Sequence, residues 1–263
     1  MQPLRALIAT LCLLCISAPA FAVLPPALTS LQSRGAVVGK SFPAPDGLTG
    51  WVVQIQGHTI VLYSTPGGRY LLSGALVDQG GNNLTEQYSD TYIEQPAANK
   101  LAIQLASDPL LVDEGDKHAP ELYAYIDANC IYCNKLWTEL RPYVQSGKLQ
   151  VHWVVLAFLK DSSMAKGAAI LAAPDRLAAL TQDETKFDTQ QEEGGVAPLD
   201  KIPPAITTAM NAHAAQMAES GSQGTPLLLY RKGTTWALMD GMPRDFQTFL
   251  NSVNPSIPPT PAR

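Results

Sequence analysis

Two cysteines separated by two residues, Cys130 and Cys133, are the residues of this chain best suited to do chemistry. Apolar side chains follow them at helical spacing, which predicts that the pair opens a helix. At a helix start, unpaired N–H groups and the helix dipole favour a thiolate, and such cysteines have pKa values of roughly 3.5–7.5. We therefore predict thiol–disulfide exchange, with Cys130 as the nucleophile and Cys133 as the thiol that resolves a mixed disulfide.

Other uses of a C-x-x-C pair fit the sequence less well. A zinc site needs two further ligands, and none of the 4 histidines stands in ligand spacing. Haem attachment needs a histidine directly after the second cysteine, where this chain has Asn134. An inert disulfide would close so short a loop that it would stabilise the fold little. The zinc pair and the inert disulfide remain the minor alternatives, and we expect no cofactor and no metal.

A second candidate element is Gly224-Thr225-Pro226, directly before an apolar segment. Proline belongs at the start or the edge of a strand, and the X-Pro bond is the peptide bond most able to be cis. Because this proline follows a C-x-x-C pair and precedes strands, we predict the cis form. A cis proline beside the cysteines would leave the preceding carbonyl and N–H free to pair with a substrate backbone. We therefore predict that Thr225 and Pro226 bind substrate, together with Tyr132 between the cysteines, and that Thr225 can offer its hydroxyl to Cys130.

The start of the chain has the composition of an export signal. Residues 7–16 are apolar or small, and Ala20-Phe21-Ala22 matches a signal-peptidase site, so residues 1–22 are predicted to be removed. The apolar run is shorter than the about 20 residues that a membrane-spanning helix needs. Cys12 and Cys15 would leave with this segment. We expect a periplasmic protein without membrane insertion.

Charge limits the class of partner. The chain has 18 basic and 23 acidic residues, a formal net charge of −5. This balance argues against nucleic acid or an anionic membrane surface as a partner. The acidic run from Asp183 to Glu193 is interpreted as a solvated helical face or loop, whereas Trp137 and Trp153 are predicted to be core residues.

The elements that must position the cysteines fall into two predicted domains. Residues 23–84 indicate a small β-rich domain, with a leading helix near Leu28 and strands beginning near Trp51, Thr59 and Tyr70. Residues 85–107 form a connecting region, whose helix over 97–106 is alternatively the first helix of the second domain. Residues 108–254 follow the order strand, helix, strand, long helical insertion, two strands and helix, which is an α/β order. Prolines mark residues 255–263 as a flexible tail. The predicted class is α+β.

The segment from Tyr125 to Lys135 resembles the active-site segment of the DsbC/DsbG family, within the thioredoxin superfamily. The likeness includes Asp127, three residues before the first cysteine, and continues through Trp137 and Arg141-Pro142. The resemblance covers nearly the whole chain after the signal segment. It implies a thioredoxin-like catalytic domain with a helical insertion, a linker helix and a cystatin-like dimerisation domain, and hence a homodimer.

The same resemblance implies a function. Members of the family act on exported proteins with oxidised cysteines and are kept reduced by the membrane protein DsbD. We expect reduction of sulfenylated cysteines or non-native disulfides. The alternatives are a disulfide isomerase, and a holdase chaperone whose redox pair is secondary.

Two positions depart from the relatives' pattern. Ile131 replaces the proline or glycine that these relatives carry after the first cysteine, so the reduction potential is not predicted. Ala124 stands where thioredoxin has a buried aspartate, so proton transfer to or from Cys133 needs another route.

Overall fold

The structure is a computed structural model that describes residues 24–257, which form two β-sheets with helices packed around them. The predicted signal segment over 1–22, with its cleavage site, and most of the tail predicted for 255–263 lie outside the described residues. Within residues 24–257, no helix combines the length and the apolar character needed to cross a bilayer.

The first sheet is antiparallel, with four strands in chain order. Helix α1 (Pro26–Gln32) precedes its strands, which are β1 (Val37–Pro43), β2 (Thr49–Ile55), β3 (His58–Ser64) and β4 (Leu71–Ser73). Leu28 of α1 packs with Trp51, Val53 and Leu62 on one face of this sheet. Helix α1 and the last three strands were predicted from the sequence, whereas β1 was not. Strand β1 is mostly exposed, and a bulge between Val38 and Ser41 interrupts its alternation, so it carries no apolar pattern.

A helical stretch leads from the first sheet to the second. Helix α2 (Leu84–Ser89) begins after Asn83, whose side chain accepts the N–H of Glu86. A π-helical turn (Asp90–Glu94) continues into helix α3 (Gln95–Leu105). The buried side chains of α3 pack against the second sheet; they are Ala98, Leu101, Ala102 and Leu105. This packing supports the alternative that α3 belongs with the second domain.

The second sheet has the strand order β5-β7-β6-β8-β9, with β6 and β7 parallel and the other pairs antiparallel. Its strands are β5 (Val112–Gly115), β6 (Glu121–Asp127), β7 (Gln150–Leu156), β8 (Leu227–Lys232) and β9 (Thr235–Asp240). Its helices are α4 (Ile131–Gln145), α5 (Ser163–Ala172), α6 (Arg176–Thr185), α7 (Pro204–Glu219) and α8 (Phe246–Val253). This is the thioredoxin-like arrangement with a helical insertion that the sequence implied, and it confirms the α+β class. Only the four-residue strand β5 was missed.

Strand β6 is buried on both faces of the sheet. Leu122, Ala124 and Ile126 join the core that contains α4 and α8, whereas Tyr123 and Tyr125 join the core that contains α3. A strand covered on both faces has an almost continuous apolar sequence, as the segment from Leu122 to Ile126 does. Strand β6 ends at Asp127, three residues before Cys130.

Candidate active site

Cys130 is the N-cap residue of α4. Its Sγ accepts the backbone N–H of Cys133 at 3.2 Å and lies 3.5 Å from the carbonyl oxygen of Thr225, to which the thiol donates. Both cysteines are free thiols, with Cys130 4% exposed and Cys133 fully buried. The sulfur that caps the helix is therefore the one nearer to solvent.

The two thiols have opposite pKa shifts. A hydrogen bond from the Cys133 thiol lowers the pKa of Cys130 to about 7 against the effect of burial, and the Thr225 side chain and backbone N–H groups lower it further. Burial raises the pKa of Cys133 well above its ordinary value, and the neighbouring Cys130 raises it further. At neutral pH, Cys130 is therefore partly ionised while Cys133 keeps its proton.

The predicted substrate-binding residues lie around Cys130. The Thr225–Pro226 peptide bond is cis, as the sequence analysis predicted. The Thr225 hydroxyl oxygen is buried and has no hydrogen-bond partner within residues 24–257, but its side chain lowers the pKa of both thiols. Tyr132 is 61% exposed and so presents its ring to solvent beside the motif.

Two exposed apolar residues, Phe158 and Leu159, lie at the carboxyl end of the parallel strands and were not among the residues predicted from the sequence. They follow β7, and because β6 and β7 are parallel neighbours, their carboxyl ends meet at one edge of the sheet. Phe158 is 45% exposed and Leu159 is 43% exposed. The available signal was an apolar run that continues past the end of a strand.

Asp127 fixes the loops around the cysteine pair. Its side chain is 1% exposed. It accepts four hydrogen bonds, from Asn129 N at 2.9 Å, Ser163 Oγ at 2.7 Å, Phe158 N at 2.9 Å and Leu159 N at 3.1 Å. Four donors on one carboxylate account for an aspartate buried at the end of an apolar strand. Asp127 therefore links the approach to Cys130 with the loop after β7.

A buried ion pair holds α4 against the edge of the sheet. Arg141 of α4 pairs with Glu114 of β5, whose other carboxylate oxygen accepts a hydrogen bond from Trp153 Nε1 at 2.9 Å. The Arg141 guanidinium lies 4.3 Å from the centre of the Trp137 ring. Both tryptophans are buried, as predicted.

The interpretation of the acidic run as solvated is wrong at its start. Asp183 is fully buried and Glu184 is 4% exposed. Asn134 Nδ2 donates to the Glu184 carbonyl oxygen at 2.7 Å and to its Oε2 at 2.9 Å. Burial raises the pKa of Glu184 to about 8 and that of Asp183 to about 6.

The remainder of the acidic run folds back beside the cysteines. Gly194 N donates to Asn129 Oδ1 at 3.1 Å, and Lys166 donates to the Gly194 carbonyl oxygen at 2.7 Å while pairing with Glu193. Gly194 approaches so closely that a Cβ there would lie 2.4 Å from the carbonyl oxygen of Ala128. No three His, Cys, Asp or Glu side chains within residues 24–257 are grouped as a metal site would require.

Known proteins resemble the chain over most of its length. The thiol:disulfide interchange protein DsbG of Pseudomonas aeruginosa is 32% identical over 208 residues, which are 79% of each chain. The chain belongs to the DsbG family. The DsbG protein of Escherichia coli is 30% identical over 212 residues, which cover 79% of this chain and 82% of that protein. The resemblance drawn from the segment around Cys130 is thereby confirmed.

This DsbG family member was also compared with family models and with solved structures. No family model matches the chain. Among solved structures, the DsbG of Helicobacter pylori aligns with a TM-score of 0.41 and 19% identity, over 78% of this chain and 98% of that one.

Proposed function

We propose that this protein is a periplasmic thiol–disulfide oxidoreductase that reduces sulfenylated cysteines and non-native disulfides of exported proteins. The observation that carries the proposal is the asymmetry of the two thiols. The helix-capping sulfur of Cys130 has its pKa lowered to about 7, while Cys133, fully buried behind it, has its pKa raised. A nucleophile needs the first property, and a resolving thiol that must not react early needs the second.

The exchange proceeds in two steps. The Cys130 thiolate attacks an oxidised substrate sulfur, displacing hydroxide from a sulfenic acid or a thiolate from a disulfide, and a mixed disulfide forms. Cys133 then loses its proton and attacks the Cys130 sulfur, so the substrate cysteine leaves reduced. Two electrons have passed to the substrate, and the protein is left with a Cys130–Cys133 disulfide. A DsbD-like membrane reductant would restore the thiols.

Substrate would approach at the edge of the second sheet. Thr225 and Pro226 border Cys130, and Tyr132 lies between the two cysteines. Phe158 and Leu159 add exposed apolar surface, and their N–H groups bond to Asp127, three residues before Cys130. Apolar side chains at a solvent-facing edge suit contact with a polypeptide. We assign these five residues to substrate binding.

Assembly is proposed to be a homodimer formed by the first sheet. Strands β1 and β4 are its two edges, and an unpaired strand edge is a ready partner for another chain. Val37, Tyr70 and Leu72 on these strands or beside them are 60%, 66% and 46% exposed. The signal segment is proposed to be cleaved near Ala22. The proposed domains are those drawn from the sequence, except that α3 (Gln95–Leu105) is grouped with the second domain.

Trapping experiments test the mechanism. Cys133→Ser is expected to accumulate mixed disulfides with exported proteins, and Cys130→Ser to accumulate none, as seen on non-reducing gels. The resting state in growing cells, read by acid quench and thiol alkylation, is expected to be mostly reduced. A mostly oxidised pair, or a Cys133→Ser variant that captures no partner, would contradict the proposal.

Substrate assays separate the alternatives. Reduction of a sulfenylated single-cysteine protein is the expected activity, whereas refolding of a scrambled multi-disulfide protein without such reduction would indicate an isomerase. Suppression of aggregation that survives replacement of both cysteines by alanine, in the absence of redox activity, would indicate a holdase.

A further inference from the structure

Glu184 is a buried carboxyl group that takes no part in the exchange steps. It lies at the end of α6 and is 4% exposed. Asn134, the residue after Cys133, donates from one amide nitrogen both to the carbonyl oxygen and to the carboxyl group of Glu184, at 2.7 and 2.9 Å. A single side chain thus joins the last turn of α6 to the first turn of the helix that Cys130 caps.

Asn134 also links Glu184 to Cys130, because its backbone N–H donates to the Cys130 carbonyl oxygen at 3.0 Å. Three ionisable groups on three elements interact electrostatically with Glu184. They are Asp183 on α6, Cys130 at the start of α4 and Glu114 on β5, and the negative form of each raises the pKa of Glu184 beyond the larger effect of burial. The charge of Glu114 is paired with Arg141, and Asp183 accepts the N–H of Val196 at 3.0 Å. Of the three groups, only Cys130 changes its charge when a disulfide forms.

We propose that Glu184 is a positioning residue that holds a proton beside the cysteine pair while Cys130 is a thiolate, and releases it when Cys130 becomes bonded to sulfur. The inference rests on the proposed function, because it requires Cys130 to alternate between these two states. In the reduced protein, the negative charge of the Cys130 thiolate disfavours a second charge on Glu184, so the carboxyl group keeps its proton. In the disulfide form that thiolate is gone, and the carboxyl group ionises more easily.

Formation of the disulfide releases electrons and protons to separate acceptors. Formation of the Cys130–Cys133 disulfide passes two electrons to the substrate sulfur, and the Cys133 proton leaves to the displaced thiolate, hydroxide or water. Glu184 has a higher pKa in the reduced form than in the disulfide form. At pH values between these two pKa values, the Glu184 carboxyl proton also leaves to solvent when the disulfide forms.

The test is the pH dependence of the redox equilibrium with glutathione, from about pH 6 to about pH 9. Reduction of the wild-type pair is expected to take up an additional proton near pH 8, where Glu184 titrates. Glu184→Gln is expected to lose that additional uptake. Asp183→Asn removes the neighbouring buried carboxyl group and is the matched control, in which the additional uptake persists at a lower pH, since Asp183 raises the pKa of Glu184.

A second readout is the thiolate absorbance of the reduced protein. In the wild type, the titration of the Cys130 thiolate is expected to be broadened on its alkaline side by Glu184. In Glu184→Gln, the same titration is expected to be a single step. Asn134→Ala removes a hydrogen bond that lowers the pKa of Glu184, so it is expected to move the additional uptake to higher pH. This variant keeps the test decisive where Glu184→Gln does not fold.

Failure of the inference is distinguishable from failure of the proposed function. A wild-type pair that does not exchange with glutathione at any single pH would remove the proposed function itself. Normal exchange, with the same proton uptake and the same thiolate titration in wild type, Glu184→Gln and Asn134→Ala, would overturn the role of Glu184 alone.

Discussion

Asp127 accepts a hydrogen bond from Ser163 at 2.7 Å, joining the end of the strand that leads to Cys130 with the start of α5. Its other oxygen accepts the N–H groups of Phe158 and Leu159. A buried donor left without a partner costs about 1–3 kcal/mol. We therefore expect Asp127→Ala to lower the free energy of unfolding by about 2–5 kcal/mol, measured by urea denaturation.

Asp161 provides the control for that experiment. It is an exposed aspartate in the same loop, so Asp161→Ala is expected to change the free energy of unfolding by less than about 0.5 kcal/mol. Equal losses in the two variants would show that the buried network around Asp127 contributes nothing specific.

Cys133 controls the ionisation of Cys130. The hydrogen bond from the Cys133 thiol is the largest cause of the lowered pKa of Cys130. Cys133→Ala removes it, so the pKa of Cys130 is expected to rise above about 7 toward its ordinary value. Because the thiolate is the reactive form, alkylation of Cys130 at neutral pH should slow, and its pH profile should move to higher pH.

Tyr132→Ala is the matched comparison for the alkylation profile. This variant keeps the backbone N–H at position 132 that favours the Cys130 thiolate, so the profile is expected to stay near pH 7. An unchanged profile in Cys133→Ala would mean that the helix start alone, rather than the second thiol, sets the pKa of Cys130.

The ion pair between Glu114 and Arg141 positions the helix that carries the cysteines. Arg141→Met leaves the Glu114 carboxylate buried without its cation, which costs about 3–5 kcal/mol in comparable sites. Glu114→Gln with Arg141→Met removes both charges, and we expect this double variant to be more stable than Arg141→Met alone. Thermal and urea unfolding of the single and double variants measure the coupling, and strictly additive losses would contradict it.

Gly194 is expected not to tolerate a side chain. A Cβ at this position would lie 2.2 Å from Asp183 Oδ1 and 2.4 Å from the carbonyl oxygen of Ala128, two residues before Cys130. Gly194→Ala should therefore displace the loop and lower the free energy of unfolding by about 1–3 kcal/mol. Gly224→Ala, where a Cβ meets nothing within 4 Å, is the control for stability. Similar unfolding curves for both variants would show that the loop yields without cost.

The sequence was most informative where the spacing of a few residues restricts the local backbone conformation. The spacing of Cys130 and Cys133, and the proline at 226, were sufficient to predict the helix start and the cis bond. Strand β1 was not predictable from pattern, because its side chains are mostly exposed and a bulge breaks its register. Asp183 and Glu184 were placed in solvent because charged residues usually are, and only tertiary contacts such as that of Asn134 reveal their burial.

Helix α3 lies before residue 108 in the chain, yet it packs as part of the second sheet's domain. Four of its side chains fill the face of the sheet that Tyr123 and Tyr125 share. A fragment that begins at residue 108 would open part of this face to water, whereas one that begins within the π-helical turn before Gln95 would keep it covered. Any rotation of one sheet relative to the other must therefore take place before Gln95 in the chain, with α3 moving together with the second sheet.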